Sequence, residues 1–376
     1  MLAVIYYNMI YLDNAATSHF KPKCVYDALL YDVKNSANSG RSGHKLALSR
    51  SLAIENSRSY LLEKFGGSHL VFTKNCTEAL NLGILGYLTD RMKVVTTENE
   101  HNSVLRPLYA LERRGVITLL VLPVIDGKTP FESLVEAGKT ADLVVVSLAS
   151  NVLGATVDIP ALKSALKNSN AKILVDGAQG VPYIPFDMTS ADMLALPAHK
   201  GLHGVQGVGA LIFNDNVKLN PILYGGTGTE SFSPYQPTTI PECFESGTMF
   251  SGGICAFGEG ARWTFDRVDK IRKIVRSLAT ECAYNLKNMG VTIYSKEYDT
   301  GIVTFNIDDK DSQQVASRLD EMGFAVRGGV HCAPLIHKRL GTDKQGAVRV
   351  SFGVDNTERD LIKLLSAVEK IKGQGL

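Results

Sequence analysis

The sequence predicts an α/β protein in which a mostly parallel sheet lies between helices in a large domain, with a smaller α/β domain at the C-terminal end. Short runs rich in Val, Ile and Leu alternate with stretches of helical period from about residue 70 to residue 215, the pattern of a sheet covered by helices on both faces. A long helical pattern with no internal Pro spans 256–289, and further strand-like and helix-like runs follow it. A chain of 376 residues exceeds what one hydrophobic core usually serves, so two domains are expected.

In chain order, strands are expected at 69–73 (HLVFT), 93–97 (KVVTT), 117–122 (ITLLVL), 142–148 (DLVVVSL), 172–176 (KILVD), 191–196 (ADMLAL) and 208–213 (VGALIF). Their nearly continuous apolar character reads as burial on both faces. Between them, Thr77–Leu88 reads as a helix with Thr77 as N-cap and Glu78 in the first turn, and Ile159–Lys167 as a helix opened by Pro160. The run 256–289, charged on one side, reads as a single connecting helix. Strands near 301–307 and 347–352 and helices near 311–322 and 357–372 build the smaller domain. The expected division is 1–20 as an N-terminal segment associated with the smaller domain, 21–255 as the large domain, and 256–376 as connecting helix and smaller domain.

Composition narrows the function classes. Forty Lys and Arg against thirty-eight Asp and Glu leave a formal charge of +2. No basic run or aromatic interleaving is present to track a phosphate backbone, so nucleic acid is not an expected partner. The six cysteines are scattered without a C-x-x-C pair. They suggest neither a disulfide framework nor a zinc site, no metal is expected, and a reducing compartment fits. The apolar opening MLAVIYYNMIYL lacks a basic n-region and a cleavage pattern and is too short to span a bilayer, so a cytoplasmic protein with no membrane partner is expected. Met9 directly precedes IYLDNAAT, which leaves open whether residues 1–8 are native or a start-site extension.

In ADMLALPAHKGLHGVQGVGALIF, His199–Lys200 follows an apolar strand and precedes a Gly-rich turn. A lysine at the low-dielectric end of a sheet loses hydration, which lowers its pKa and frees its lone pair to attack an aldehyde; a solvated turn lysine is the alternative. In KILVDGAQG, Asp176 ends an otherwise apolar strand. Its carboxylate there suits a protonated pyridine nitrogen, with Gln179 in reach of a phenolic oxygen, and capping of the following turn is the alternative. In FTKNCTEALN, Asn75, Cys76 and Thr77 open a helix straight after a strand, a ready phosphate seat if not a simple cap. In TTENEHNSV, His101 lies just beyond a strand, placed either to lie on a cofactor ring and move protons or to cap the next helix.

In AVRGGVHCAPLIHK, Cys332 stands between His331 and Ala333, with Arg327 and His337 nearby. Cationic or imidazole neighbours favour the thiolate that a nucleophile needs. The other five cysteines read as small buried residues. Arg349, in GAVRVSFG, lies on a candidate strand, where a buried guanidinium requires a fixed carboxylate from the protein or from an amino-acid substrate.

Taken in order, YLDNAAT, FTKNCTEALN, ENEHNSV, SLASNVLG, VDGAQG, AHKGLHGVQGVGAL, FESGT and RGGVHCAPL resemble the cysteine desulfurases of the class V aminotransferase fold, from Tyr11 to about Asn356. The short R-x-G-x-H-C-A-P loop is similar to that of the group II, SUF-type branch, which includes selenocysteine lyases. The resemblance implies a pyridoxal 5′-phosphate (PLP) enzyme of fold type I and a homodimer. It would convert L-cysteine to L-alanine and leave the sulfur on Cys332 as a persulfide, with a sulfur-acceptor protein as a further partner. It implies Lys200 as the covalent anchor of the cofactor, Asp176 on the pyridine nitrogen, Gln179 on the phenolic oxygen and His101 over the ring. Cys76, Thr77 and His199 would hold the phosphate, with Thr248 of FESGT reaching across from the other subunit. Asn151 and Arg349 would hold the substrate carboxylate, with Arg327 beside them.

Three features depart from the family pattern. Pro197 stands three before the lysine, where many relatives carry a phosphate-binding Ser or Thr; Cys243 replaces a basic residue before FESGT; and Gly-Val-His-Cys replaces a loop that often has two histidines. The rival readings are a lyase for selenocysteine or another sulfur amino acid, and a non-catalytic PLP-fold scaffold. Lys200 and Cys332 together argue against the scaffold.

Overall fold

The computed structural model describes residues 9–40 and 42–373; residues 1–8, and with them the question of an alternative start at Met9, lie outside these. Seven strands form one sheet in the spatial order His69–Thr73, Gly209–Phe213, Met193–Pro197, Lys172–Asp176, Leu143–Ser147, Met92–Thr97 and Ile117–Leu122. Only Gly209–Phe213 runs antiparallel to its neighbours, so the sheet is mostly parallel. All seven expected strands are present, with ends shifted by at most two residues.

Alternate residues of the central strands feed two separate cores, as the period of two requires. Val144, Val146, Ile173 and Val175 face one side with Phe72 and Phe257. Val145 and Leu174 face the other with Leu80 and Phe213. Ile117–Leu122 departs from the expected two-sided burial: it is the sheet edge, its burial alternates, and Leu120 is 47% exposed. With a neighbour on one side only, its outer face is left uncovered.

Two helix assignments are corrected. Asn75, not Thr77, caps the helix Cys76–Leu85, accepting the Glu78 N–H at 2.9 Å while the Glu78 carboxylate accepts the Lys74 N–H. This reciprocal arrangement resembles a capping box and favours Asn75 over Thr77. The expected single helix 256–289 is two helices, Ser251–Phe265 and Val268–Asn288, parted at Asp266–Arg267. The first packs Ile254, Phe257 and Ala261 against the large sheet, and the second packs Leu278, Cys282 and Leu286 against the smaller one. One straight rod would not serve both surfaces.

The smaller sheet is antiparallel, in the order Arg327–Gly329, Ala347–Ser351, Ile302–Asn306 and Thr292–Ile293. Ile10–Tyr11 pairs in parallel with Phe324–Ala325 beside it. No helix among the described residues is long and apolar enough to cross a membrane.

Candidate active site

Thr97, Ser147, Asp176 and Pro197 end neighbouring parallel strands at one edge of the large sheet, the edge where α/β sheets bind ligands. A pocket there is lined by Cys76, Thr77, His101, Asn151, Asp176, Gln179, His199 and Lys200. The start of helix Cys76–Leu85 approaches the sheet closely because residue 209 is glycine: a Cβ there would lie 2.5 Å from the Asn75 carbonyl carbon. Asn75 takes the Glu78 and Ala79 N–H groups, and the Cys76 and Thr77 N–H groups that remain at the helix start make an anion seat.

His101 both lines the pocket and caps the helix Asn102–Arg113, so the two alternatives coexist. Its Nδ1 accepts the Ser103 N–H at 3.0 Å, which places the neutral ring's proton on Nε2. Burial, aided by Lys200 and Arg327, brings its pKa down to about 4. Ser103 Oγ also lies 2.8 Å from Thr77 Oγ1 and 2.9 Å from His101 Nδ1. Sequence reasoning missed Ser103, although a Ser two residues beyond a candidate cap was a readable signal.

Asp176 is 4% exposed, and its Oδ1 accepts the Ala178 N–H at 2.9 Å, so turn capping is realised alongside its place in the pocket. Burial raises its pKa against the opposing effects of that N–H and of Lys200. The Cys76 thiol lies 3.7 Å from the same Oδ1. Burial lowers the Lys200 pKa, with Asp176 opposing. Gln179 Nε2 donates to the Ala15 carbonyl at 2.9 Å, which fixes the amide against the YLDNAAT segment. His199 is anchored through its carbonyl, which accepts from Ser18 N at 2.9 Å and Thr17 Oγ1 at 3.1 Å. Its buried ring Nδ1 has no partner among the described residues. Thr248 is not in this pocket; it lies exposed beyond Glu245, whose carboxylate takes both Arg58 NH1 at 2.8 Å and Arg58 NH2 at 2.9 Å.

Cys332 sits between Arg327–Gly329 and the helix Pro334–Leu340. His331 and Cys332 both have left-handed φ, +51° and +57°, which costs non-glycine residues about 1–2 kcal/mol each. Asn151 Nδ2 holds the His331 carbonyl at 2.7 Å, and Asn102 N holds the Cys332 carbonyl at 2.8 Å. The loop is therefore docked on the rim of the pocket. Arg327 NH2 lies 3.8 Å from the Cys332 sulfur. The imidazoles expected to support the thiolate do not: His331 and His337 are buried and paired with each other at 3.1 Å. Arg327 alone among the expected neighbours contacts the sulfur.

Arg349 is 1% exposed and finds its carboxylate within the protein, NH2 donating to Asp13 Oδ1 at 3.0 Å. NH1 donates to the Asn151 carbonyl at 3.1 Å, and Nε has no partner among the described residues. Asp13 went unassigned in the sequence although it lies in YLDNAAT. A helix start and an unpartnered imidazole nitrogen suit a phosphate; a buried carboxylate beside a desolvated amine suits a pyridine aldehyde; a free guanidinium N–H suits an amino-acid carboxylate. The residues present fit PLP and an amino acid.

The family model described as aminotransferase class-V matches residues 10–364. The chain belongs to the class-V aminotransferase family. Within it, the chain is 33% identical to a probable cysteine desulfurase of Pyrococcus abyssi over 96% of this chain and 94% of that one. It is 32% identical to a cysteine desulfurase of Haloferax volcanii over 96% and 89%. Among solved structures, the apo cysteine desulfurase of Thermococcus onnurineus superposes with a TM-score of 0.91 at 32% identity, covering 97% of this chain and 95% of that one. The cysteine desulfurase of Escherichia coli in its S-sulfonic acid form gives 0.86 at 25% identity, covering 96% and 94%. The fold is fold type I, as the resemblance implied.

Proposed function

We propose that this class-V aminotransferase family member is a PLP-dependent cysteine desulfurase, active as a homodimer, with Cys332 as the sulfur acceptor. The observation that carries the reading is the docking of the Cys332 loop, through Asn102 N and Asn151 Nδ2, onto the pocket that holds Lys200 and Asp176. When bound, PLP supplies an electron sink for bonds broken at the substrate.

Each pocket residue then has one task. Lys200 would anchor the cofactor through its amine and would take the α-proton of the substrate. Asp176 would hold the proton on the ring nitrogen, a pairing that opposes the burial raising its pKa. His101 would face the ring, and Gln179 would serve the phenolic oxygen. The N–H groups at Cys76 and Thr77, with His199, would hold the phosphate, and Thr248 from the second subunit would complete that seat. Asn151 and the free Nε–H of Arg349 hold the substrate carboxylate.

The sulfur of Cys332, which has Arg327 NH2 3.8 Å from it, attacks the sulfur of cysteine. A sulfur–sulfur bond forms, the substrate carbon–sulfur bond breaks, and the carbon fragment keeps the electron pair and is protonated to alanine. The persulfide left on Cys332 passes its outer sulfur to a thiol acceptor. On this reading residues 21–255 hold the cofactor and 256–376 present Cys332. Of the N-terminal segment, residues 13–18 bridge them, through Asp13 to Arg349, Ala15 to Gln179 and Ser18 to His199.

The test is alanine release by the PLP-reconstituted protein from L-cysteine, run beside selenocysteine and cystine. Alanine from cysteine supports the reading. Alanine from selenocysteine alone makes the protein a selenocysteine lyase instead.

A further inference from the structure

The imidazoles behind Cys332 form a chain with one direction. The Arg327 carbonyl can only accept, and His331 Nε2 lies 3.4 Å from it, so that nitrogen carries the proton of the neutral ring. His331 Nδ1 must then accept, and His337 Nε2, 3.1 Å away, must donate. This leaves His337 Nδ1 as the acceptor for Thr342 Oγ1 at 2.8 Å. The hydroxyl's other acceptor, the His337 carbonyl, is farther at 3.3 Å. Thr342, His337, His331 and the Arg327 carbonyl thus hand hydrogen bonds along in sequence, and each ring nitrogen is satisfied.

The chain is buried, with His331, His337 and Thr342 each no more than 2% exposed. Burial brings the His337 pKa down to about 4 and the His331 pKa well below its ordinary value, the latter with Arg349 adding to the effect. Both rings are neutral near pH 7, and the chain is intact there. Its near end is the residue whose left-handed backbone precedes Cys332. Asn102 and Asn151 grip the same turn through its carbonyls from the large-sheet side. The rings hold it through the His331 side chain, and the sulfur's side-chain contact is Arg327, not either ring.

We propose that His337 and Thr342 are positioning residues for Cys332: through the His331 ring they hold the left-handed turn that presents its thiol. The consequence for turnover rests on the desulfurase reading, while the consequence for the thiol's accessibility does not.

The experiment uses PLP-loaded protein and the variants His337→Leu, His337→Gln and Thr342→Val. It measures kcat and KM for alanine from L-cysteine, cofactor absorbance, and the rate at which iodoacetamide alkylates Cys332, read on its peptide by mass. For His337→Leu, kcat is expected to fall about 10-fold to 100-fold, the scale of a displacement near 1 Å. KM and cofactor absorbance should stay at the parent values, and alkylation of Cys332 should quicken several-fold as the turn loosens. Glutamine offers both a donor and an acceptor, so His337→Gln should recover both readouts. Thr342→Val, which loses only the terminal donor, should shift them less and in the same direction.

If His337→Leu fails to fold, the contrast between His337→Gln and Thr342→Val decides, and equal, parent-like readouts in both overturn the proposal. Parent kcat and alkylation in His337→Leu overturn it, as does a loss shared equally by KM and cofactor binding. If Cys332→Ala still makes alanine at the parent rate, the desulfurase reading fails instead, and the alkylation rates alone judge the positioning role.

Discussion

The main-chain N–H of Asn102 donates to the carbonyl oxygen of Cys332 at 2.8 Å, which places the residue after His101 one hydrogen bond from the cysteine of the loop. Asn102 is the first residue of its helix, and His101 has φ −69° and ψ 154°. Proline is favoured at the first helical position and accepts a preceding residue in that conformation. Asn102→Pro should therefore keep the helix and the cofactor while deleting the tie. Cysteine turnover is expected to fall about 10-fold, the scale of one lost hydrogen bond with some displacement, at an unchanged melting temperature. Parent-rate turnover would make the contact incidental.

Lys200 is the lysine of the pocket, and its amine is desolvated beside Asp176. Borohydride should fix PLP covalently to the peptide that carries Lys200 in the parent and to no peptide in Lys200→Ala. Covalent cofactor in that variant would move the attachment to another lysine.

The pH dependence of stability has two parts of opposite sign. His101, His199, His203 and His337 each have a pKa brought down to about 4 by burial. The unfolded chain binds their protons more tightly, so their contribution is full above about pH 6.5 and is lost as pH falls toward 4. Glu100 is buried and hydrogen-bonded to Thr97 Oγ1 at 2.7 Å and Ser147 Oγ at 2.6 Å, and burial pushes its pKa up to about 7. The folded chain holds this proton more tightly, so its contribution is full below the ordinary carboxyl pKa and is lost as pH rises to about 7. The melting temperature should climb from pH 4 to about 6.5 and then dip slightly. Glu100→Gln should abolish the dip, gaining up to about 3 kcal/mol on the parent between pH 4 and 8. An unchanged dip would remove Glu100 as its source.

Tyr26, Leu30, Tyr31 and Val33 are exposed on one helix, and Phe232 and Tyr235 are exposed on the loop before FESGT. On the homodimer reading, the partner subunit would cover these side chains. Sedimentation should give twice the mass of one chain. Thr248→Ala should weaken PLP retention by about 1–2 kcal/mol if one phosphate hydrogen bond is lost. A monomer that retains its cofactor would contradict a seat shared between subunits.

The strands and the pocket motifs were legible because apolar runs write the sheet directly, and the motifs sit where parallel strands end. What stayed hidden depends on contacts across the chain. Asp13 and Arg349 are partners although 336 positions separate them, and no local pattern announces the pair. His331 and His337 stand close to Cys332 in the sequence, which suggests thiolate neighbours; the fold instead pairs their rings with each other. The break at Asp266–Arg267 carries no Gly or Pro and arises because the two helices serve different sheets. Ile117–Leu122 reads as an interior strand because composition does not say which apolar run takes the edge.

The central claim is that Cys332 receives the sulfur of cysteine. Its most direct measurement is the mass of the Cys332 peptide after PLP-loaded protein meets L-cysteine with no external thiol, alongside alanine counted per site. The expected result is one added sulfur atom on Cys332 for each first alanine formed, with almost no alanine from Cys332→Ala. Alanine released at the parent rate by Cys332→Ala, or sulfur found on another cysteine, would contradict it.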